Sequence, residues 1–421
     1  MKDSKREKLI PELRFPEFEG EWEEVVFSNY FKFLRSNSFS RNQLNYKCGE
    51  VLNIHYGDIH TKFSSLFFVS RERVPFINSD INLSKFKESD YLKEGDLVIA
   101  DASEDYKDIG KSIEIIDLSG KKVVAGLHTI PARPGRDHAL GFLGNLMKTF
   151  RVRHQIMRNA NGISVLGISK TNIAKLKLTL PSPEEQQKIA SFLSLIDKKI
   201  ELLKKKKELL ELYKKGVMQK IFNQEIRFKD KDGNDYPEWE EKRLGEIGKV
   251  VTGSTPSTKN KEYWQGDIPF ITPTDINDNE KYISSSERFV KKEAIKEVLP
   301  IGGIIYTCIA SIGKMGLLKE RAFTNQQINA LVVDKNINNE FVYYALLKKT
   351  PQIISTKANT TLSIINKSEF SSIKIRLPRA KKEQDAVVMF LSRIDSSIQL
   401  VINKSKNTKN FKSGLLQKMF I

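Results

Sequence analysis

Residues Ile189–Phe222 read IASFLSLIDKKIELLKKKKELLELYKKGVMQKIF, a stretch with no proline and one glycine, and the spacing predicts one long amphipathic helix. Ile189, Ile196, Leu203, Leu210 and Val217 recur every seventh residue, with Leu193, Ile200 and Ile221 interleaved, which is the a/d seam of a coiled coil. The C-terminus repeats the seam: Val387, Ile394, Val401 and Leu415 interleave with Leu391, Ile398 and Met419. Both stretches close alike, in Gly216-Val217-Met218-Gln219-Lys220-Ile221-Phe222 and Gly414-Leu415-Leu416-Gln417-Lys418-Met419-Phe420. A lone helix of this length is marginal in water, whereas two bury each other's apolar stripe. Two independent surface helices are the plainer alternative, and helix direction stays open. Lys207 with Ser405, and Lys214 with Lys412, interrupt equivalent d positions; such polar residues either fix register or mark the end of the buried zone.

The rest of the chain falls into the same two copies. Leu13-Arg14-Phe15 followed by Glu21-Trp22-Glu23-Glu24 returns as Ile226-Arg227-Phe228 followed by Glu238-Trp239-Glu240-Glu241. After each tryptophan, short alternating apolar runs between Gly, Asn, Asp and Ser predict strands and loops. Leu92–Ala100 and Leu299–Thr307 each turn through glycine into a buried strand, and Ile109-Gly110-Lys111 and Ile312-Gly313-Lys314 follow them. Leu176–Pro181 matches Ile373–Pro378, and each copy enters its helix through Glu-Gln, at Glu185-Gln186 and Glu383-Gln384. Pro183, Glu184 and Glu185 suit a first helical turn. A repeat this long is a duplicated module rather than a solenoid unit. The expected fold is mixed α/β (α+β), with boundaries at 1–183, 184–222, 223–380 and 381–421: strand-rich domain, helix, strand-rich domain, helix.

The chain has 421 residues, 39% of them hydrophobic, a formal net charge of +18 and a pI near 9.5. That size supports two or three domains, and that charge points first to nucleic acid and second to an anionic membrane surface. The charged N-terminus, MKDSKREKLIPELRF, lacks the apolar core of a signal peptide, and no run of about twenty apolar residues occurs. Cys48 and Cys308 have no metal-type spacing, are expected in the core, and agree with a reducing cytoplasm.

The parts of a self-contained enzyme are missing. Gly162–Ser169 has the glycines of a phosphate loop, but Ile168 stands where a lysine must reach the phosphates. Asp101 with Asp105-Tyr106-Lys107 has no well-placed second acid for a nuclease core, and His55 and His60 are wrongly spaced for ligands on one helix face, which leaves loop or DNA-contact roles. No nucleophile, base and acid come together, so no catalytic residue and no metal site is assigned.

Features of a reader stand out instead. Thr252, Ser254, Thr255, Ser257 and Lys259 line a loop suited to phosphate contacts. Asn325, Gln326 and Gln327 carry amides that pair bidentately with adenine, and Arg133 and Arg136 do the same with guanine. Lys111, His128, Thr272, Thr274 and Lys314 complete the candidate DNA contacts. The run Lys204 to Lys207 reads equally well as a solvated helix face.

In this order and duplication, the residues resemble the specificity, or S, subunits of type I restriction–modification enzymes across almost the whole chain. The carriers are Leu180-Pro181 with Glu185-Gln186 and Leu377-Pro378 with Glu383-Gln384; the segments Leu193 to Asp197 and Leu391 to Asp395; and the Gly-x-x-Gln-Lys-x-Phe endings. Glu262–Phe270, Thr324–Ile328 and, more loosely, Gly126-Leu127-His128 with Ala132-Arg133-Pro134 resemble phrases of that family's target-recognition domains. The resemblance implies two such domains, each reading half of an asymmetric bipartite DNA target, with two long antiparallel coiled-coil helices between them and an internal pseudo-two-fold repeat. It further implies double-stranded DNA, two modification (methyltransferase) subunits and restriction (translocase and nuclease) subunits as partners, and no membrane. S-adenosylmethionine, ATP and Mg would be used by those partners, with no cofactor on this chain. A self-contained DNA-modifying enzyme, or a nucleic-acid or membrane adaptor without sequence preference, are the competing readings.

Overall fold

A computed structural model describes residues 8–277, 280–283, 286–357 and 364–421. The opening residues 1–7 of the charged N-terminus lie outside it. The chain divides into two compact units: Met1–Lys204 with Asn403–Ile421, and Lys205–Ile402. The predicted helices are continuous elements, a central helix Pro183–Phe222 and a C-terminal helix Lys381–Lys418, and each gives one end to each unit.

In the first unit, Glu23–Val26 pairs antiparallel with Lys177–Leu180, so the stretch after Trp22 meets the strand that feeds the central helix. A five-stranded sheet runs in the order Phe31–Phe33, Thr129–Pro134, Leu97–Ala100, Ser112–Asp117, Leu66–Phe68; only its last pair is parallel. A second sheet holds Lys122–Ala125, Val51–Ile54, Phe76–Ile77 and Leu44–Asn45. Ile189, Ala190, Leu193 and Ile196 of the central helix enter the core beside Leu415, Met419 and Phe420. Along the central helix Asp197 then meets Lys412, so the two segments run antiparallel in this unit.

The second unit repeats the plan. Glu240–Arg243 pairs with Lys374–Leu377. Its five-stranded sheet runs Gly248–Thr252, Ile328–Val333, Ile304–Thr307, Met315–Leu318, Tyr282–Ile283, again parallel only at the last pair. Phe289–Val290, Ile268–Ile271 and Phe323–Thr324 form the smaller sheet. Met218, Ile221 and Phe222 share a core with Val387, Leu391 and Ile394, and Lys214 meets Asp395, so here too the segments are antiparallel.

The echoes of the sequence become equivalent joints. Arg14 makes a bidentate pair with buried Glu185, Nε to Oε1 at 2.8 Å and Nη2 to Oε2 at 2.7 Å. Arg227 meets buried Glu383 at 3.3 Å, and Glu383 also accepts the Trp239 indole N–H at 3.0 Å. Gln186 donates to the Pro181 carbonyl and accepts from the Ala139 amide; Gln384 does likewise with Pro378 and Asn338. Trp22 packs edge-on against Phe420, just past the C-terminal helix, and Trp239 against Phe222 at the end of the central one, which gives the two Gly-x-x-Gln-Lys-x-Phe endings the same job.

Two expectations change. Cys308 is buried, and burial pushes its thiol up to about 11, whereas Cys48 is exposed on a loop whose amides bond the Asn45 side chain. Seam residues Leu203 and Leu210 are half-buried rather than core, because one neighbouring helix covers only part of a helix surface. Among the described residues, no helix is long and apolar enough to cross a membrane.

Candidate nucleic-acid interface

In the second unit, one end of the sheets gathers most of the predicted readers. The Asn325 amide donates to the Ile271 carbonyl, Ser254 to Thr324, Gly253 to Ile328 and Cys308 to Gln327, which stitches together the loops after four strands. Thr255 Oγ1 donates to Gln326 Oε1 at 2.6 Å, and Thr252 Oγ1 to Asn329 Oδ1 at 2.6 Å. Asn329 is buried in its strand and also donates to Cys308 Sγ and the Ile365 carbonyl, so a single amide holds three loops from below. The exposed predicted contacts are Thr252, Ser254, Thr255, Ser257, Lys259, Thr274 and Gln326. Thr272 and Asn325 are buried: Thr272 closes a turn on Asp275, and Asn325 bonds Gln327. Both position neighbours, Thr272 with its hydroxyl committed to Asp275 and Asn325 with one amide N–H committed to Gln327.

The corresponding end of the first unit repeats the backbone scheme. Gly126 donates to Ile54, Asn37 to Ala125, Asp101 to His128 and Gly110 to Ala100, as Asn325, Ser254, Cys308 and Gly313 do in the second copy. The Ala100 amide donates to the Lys111 carbonyl and that of Thr307 to Lys314, so the two Ile-Gly-Lys lysines occupy one topological position. His128 adopts a left-handed backbone (φ 54°), lies 3.1 Å from Asp101 Oδ1 and packs edge-on against Tyr56. Lys111 Nζ donates to the His60 carbonyl at 2.7 Å.

Sequence reasoning missed Tyr56 and Arg41 here, and weighed Asp101 only as part of a nuclease core. Arg41 bonds buried Asp58 at 2.6 Å; burial opposes ionisation of Asp58, but Arg41 and Lys62 outweigh it and hold its carboxyl below the usual range. His55 is buried and caps the following short helix, its Nδ1 accepting from the Gly57 amide. Burial, with the Arg41 charge, lowers its pKa to about 4, so it stays neutral and is no DNA-contact cation.

Two predicted guanine readers lie elsewhere. The Arg133 guanidinium is bidentate to buried Asp96, at 2.9 and 2.7 Å, and also donates to the Tyr91 carbonyl. Arg136 follows the far end of the Thr129–Pro134 strand from His128 and pairs loosely with Glu23 at 3.2 Å. In the second unit an open cavity of about 510 Å³ lies beyond the hydroxyl loop. Its lining includes Lys261 and Arg288, whose guanidinium stacks over Trp264 at 5.6 Å and Phe270 at 5.2 Å, with no carboxylate partner among the described residues. Donors and amides at one end of each unit, joined in the second by a guanidinium without a carboxylate partner among the described residues, suit contacts to phosphates and base edges. Among the described residues no three His, Cys, Asp or Glu side chains group as metal ligands.

Comparison with known proteins agrees with this duplicated plan. The type I restriction modification DNA specificity domain matches twice, at residues 42–212 and 236–409. The chain is 35% identical over 196 residues to the MjaIX specificity subunit of Methanocaldococcus jannaschii, covering 45% of this chain and 44% of that one. It is 28% identical over 179 residues to the HindI specificity subunit of Haemophilus influenzae, covering 41% and 38%; the match thus spans less than half of either relative. The S subunit from M. genitalium superposes with a TM-score of 0.56 at 14% identity, covering 98% of this chain and 99% of that one. A chain from a structural study of type I R-M complex assembly gives 0.60 at 17%, covering 95% and 97%. With both copies matched by one family model and the fold shared from end to end, the chain belongs to the type I restriction–modification DNA specificity family, that of the S subunits.

Proposed function

We propose that this chain reads a bipartite, asymmetric DNA sequence, one half with each unit, and directs adenine methylation or cleavage by partner subunits without doing chemistry itself. The observation that carries the reading is the repeated loop end: the same backbone hydrogen bonds hold His128, Asp101 and Lys111 in one copy and Gln327, Cys308 and Lys314 in the other. A shared scaffold with different side chains is what reading two different half-sites requires. The recognition domains are then residues 1–183 and 223–380, and the helices 184–222 and 381–421 set the spacing between half-sites. The target term would be salt-dependent phosphate binding plus base contacts of about 1–3 kcal/mol each.

Modification subunits would supply S-adenosylmethionine chemistry, and restriction subunits ATP- and Mg-dependent translocation, in the cytoplasm where the DNA lies. Exposed Leu195, Leu202, Leu209 and Leu212 on the central helix, and Met389 and Leu400 on the C-terminal one, offer apolar surface for those partners. The test is to co-express the chain with its modification partner and map methylated adenines across a genome. Replacing residues 240–362, of which 278–279, 284–285 and 358–362 lie outside the described structure, by another recognition domain should alter one half of the methylated sequence. A change in both halves would overturn the two-reader assignment, and methyl-donor binding by the isolated chain would restore the enzyme alternative.

A further inference from the structure

The Gly162-Ile163-Ser164-Val165 stretch is not a phosphate loop, yet the fold builds it with care. Asn161 and Gly167 exchange both backbone hydrogen bonds, at 3.0 and 2.7 Å, and close a tight turn. Gly162 sits at φ +138°, and a Cβ there would lie 2.1 Å from the Val165 carbonyl oxygen, so the turn needs glycine. At its tip Ile163 is fully exposed and Val165 more than half exposed. The base of the turn is tied to the reading end of the first unit: Leu166–Gly167 pairs with Ala102–Ser103, and the Ile168 amide donates to the carbonyl of Asp101, the residue that holds His128. Exposed Tyr106 stands on the neighbouring loop, its hydroxyl anchored on the Met157 carbonyl.

We infer that Ile163 and Val165 form an apolar finger that lies against base pairs of the DNA half-site read by the first unit. The inference rests on the proposed function. The side chains of the tip carry no cation and no donor beyond the Ser164 hydroxyl, which gives phosphate little to bind, whereas an aliphatic tip suits a thymine methyl or an opened base step. Aliphatic surface is costly to leave in water, and here it is presented at the tip of a rigid turn beside the proposed DNA contacts rather than folded inward. In the second copy the Ile365 amide donates to the Cys308 carbonyl as Ile168 does to Asp101, and residues 358–363 before it lie outside the described structure.

The experiment uses the chain assembled with its modification partner. Wild-type complex selects duplexes from a random-sequence DNA library, and binding to the enriched duplex is measured over a salt series for wild type, Ile163→Ser and Ile163→Leu. The expected result is about fivefold or greater weakening for Ile163→Ser, an unchanged slope of log affinity against log salt, and near-wild-type binding for Ile163→Leu, at unaltered melting temperature. Equal affinity for all three overturns the finger. So does a changed salt slope, or a defect confined to assembly with the modification subunit, which would make the tip a protein contact. If wild type enriches no bipartite sequence, the proposed function itself falls and takes the finger with it.

Discussion

Lys412 Nζ lies 2.6 Å from both carboxylate oxygens of Asp197, and the duplication repeats the arrangement with Lys214 and Asp395 at 2.5 Å. Polar residues that look like faults in two apolar seams are one half of an ion pair in each unit. Lys412 is nearly buried and Asp197 partly exposed. Lys412→Ala should therefore cost the first unit about 2 kcal/mol, since a carboxylate loses its cation at the edge of the core. Lys412→Met, which refills the space, should restore most of that in denaturant unfolding. If the alanine variant unfolds like wild type, the pair contributes nothing and the lysine is only solvated.

The two arginine–glutamate joints differ in what depends on them. Glu383 serves Arg227 and the Trp239 indole, whereas Glu185 serves Arg14 and leaves the Trp22 indole N–H without a partner among the described residues. Glu383→Ala should destabilise its unit by about 3 kcal/mol, more than Glu185→Ala does in the other. Hydrogen exchange over residues 226–239 should quicken in the first variant. Equal or reversed costs would mean that the indole bond carries no weight.

Base reading and structural support separate by mutation. Gln326→Ala is expected to relax one half of the methylated sequence, with affinity down by about 1–3 kcal/mol, because its amide is exposed on the reading loops. Lys259→Ala should weaken all sequences alike and lower the salt slope by about one. Arg133→Ala should lower the melting temperature by exposing the loss of a buried Asp96 partner, with half-site preference kept. A methylome altered by Arg133→Ala in a protein of wild-type stability would return that arginine to the list of readers.

His55 gives the first unit a pH dependence whose sign is set by burial. Its folded pKa, about 4, lies below the ordinary value of 6.5, so folding favours the neutral ring. The stabilisation is complete above about pH 6.5 and fades as pH falls toward 4, to a total of about 3 kcal/mol. Exchange protection at residues 55–61 should drop across that window in wild type. His55→Asn keeps a cap acceptor for Gly57 and should flatten the dependence; a profile identical to wild type would move its origin to other groups.

Sequence alone made the duplication legible because its carriers do local work twice. Arg14 and Arg227 each grip a helix-entry glutamate, each Leu-Pro strand pairs with the stretch after a tryptophan, and each Phe ending closes a core. The candidate site was legible only as loop composition, in Thr252–Lys259 and Asn325–Gln327, whose loops the fold brings together. The pairing of Arg133 with Asp96 was not legible because the two are distant in the chain, and an arginine's commitment to a carboxylate leaves no local trace. Tyr56 was passed over, and Asp101 weighed only as part of a nuclease core, for the converse reason: distant in the chain, they become neighbours of His128 only in the folded unit.

The helices themselves make the last prediction. About 33 residues of seam at 1.5 Å rise give on the order of 50 Å, enough to span the roughly 34 Å of one DNA turn. Seven residues inserted in register into both helices, between Leu203 and Leu210 and between Val401 and Lys412, keep the heptad phase and both ion pairs. Each insertion adds about 10 Å, or roughly three base pairs. The methylated sequence should keep its two halves and gain a longer gap between them. A folded, active variant that methylates with the original gap would show that something other than helix length sets the spacing.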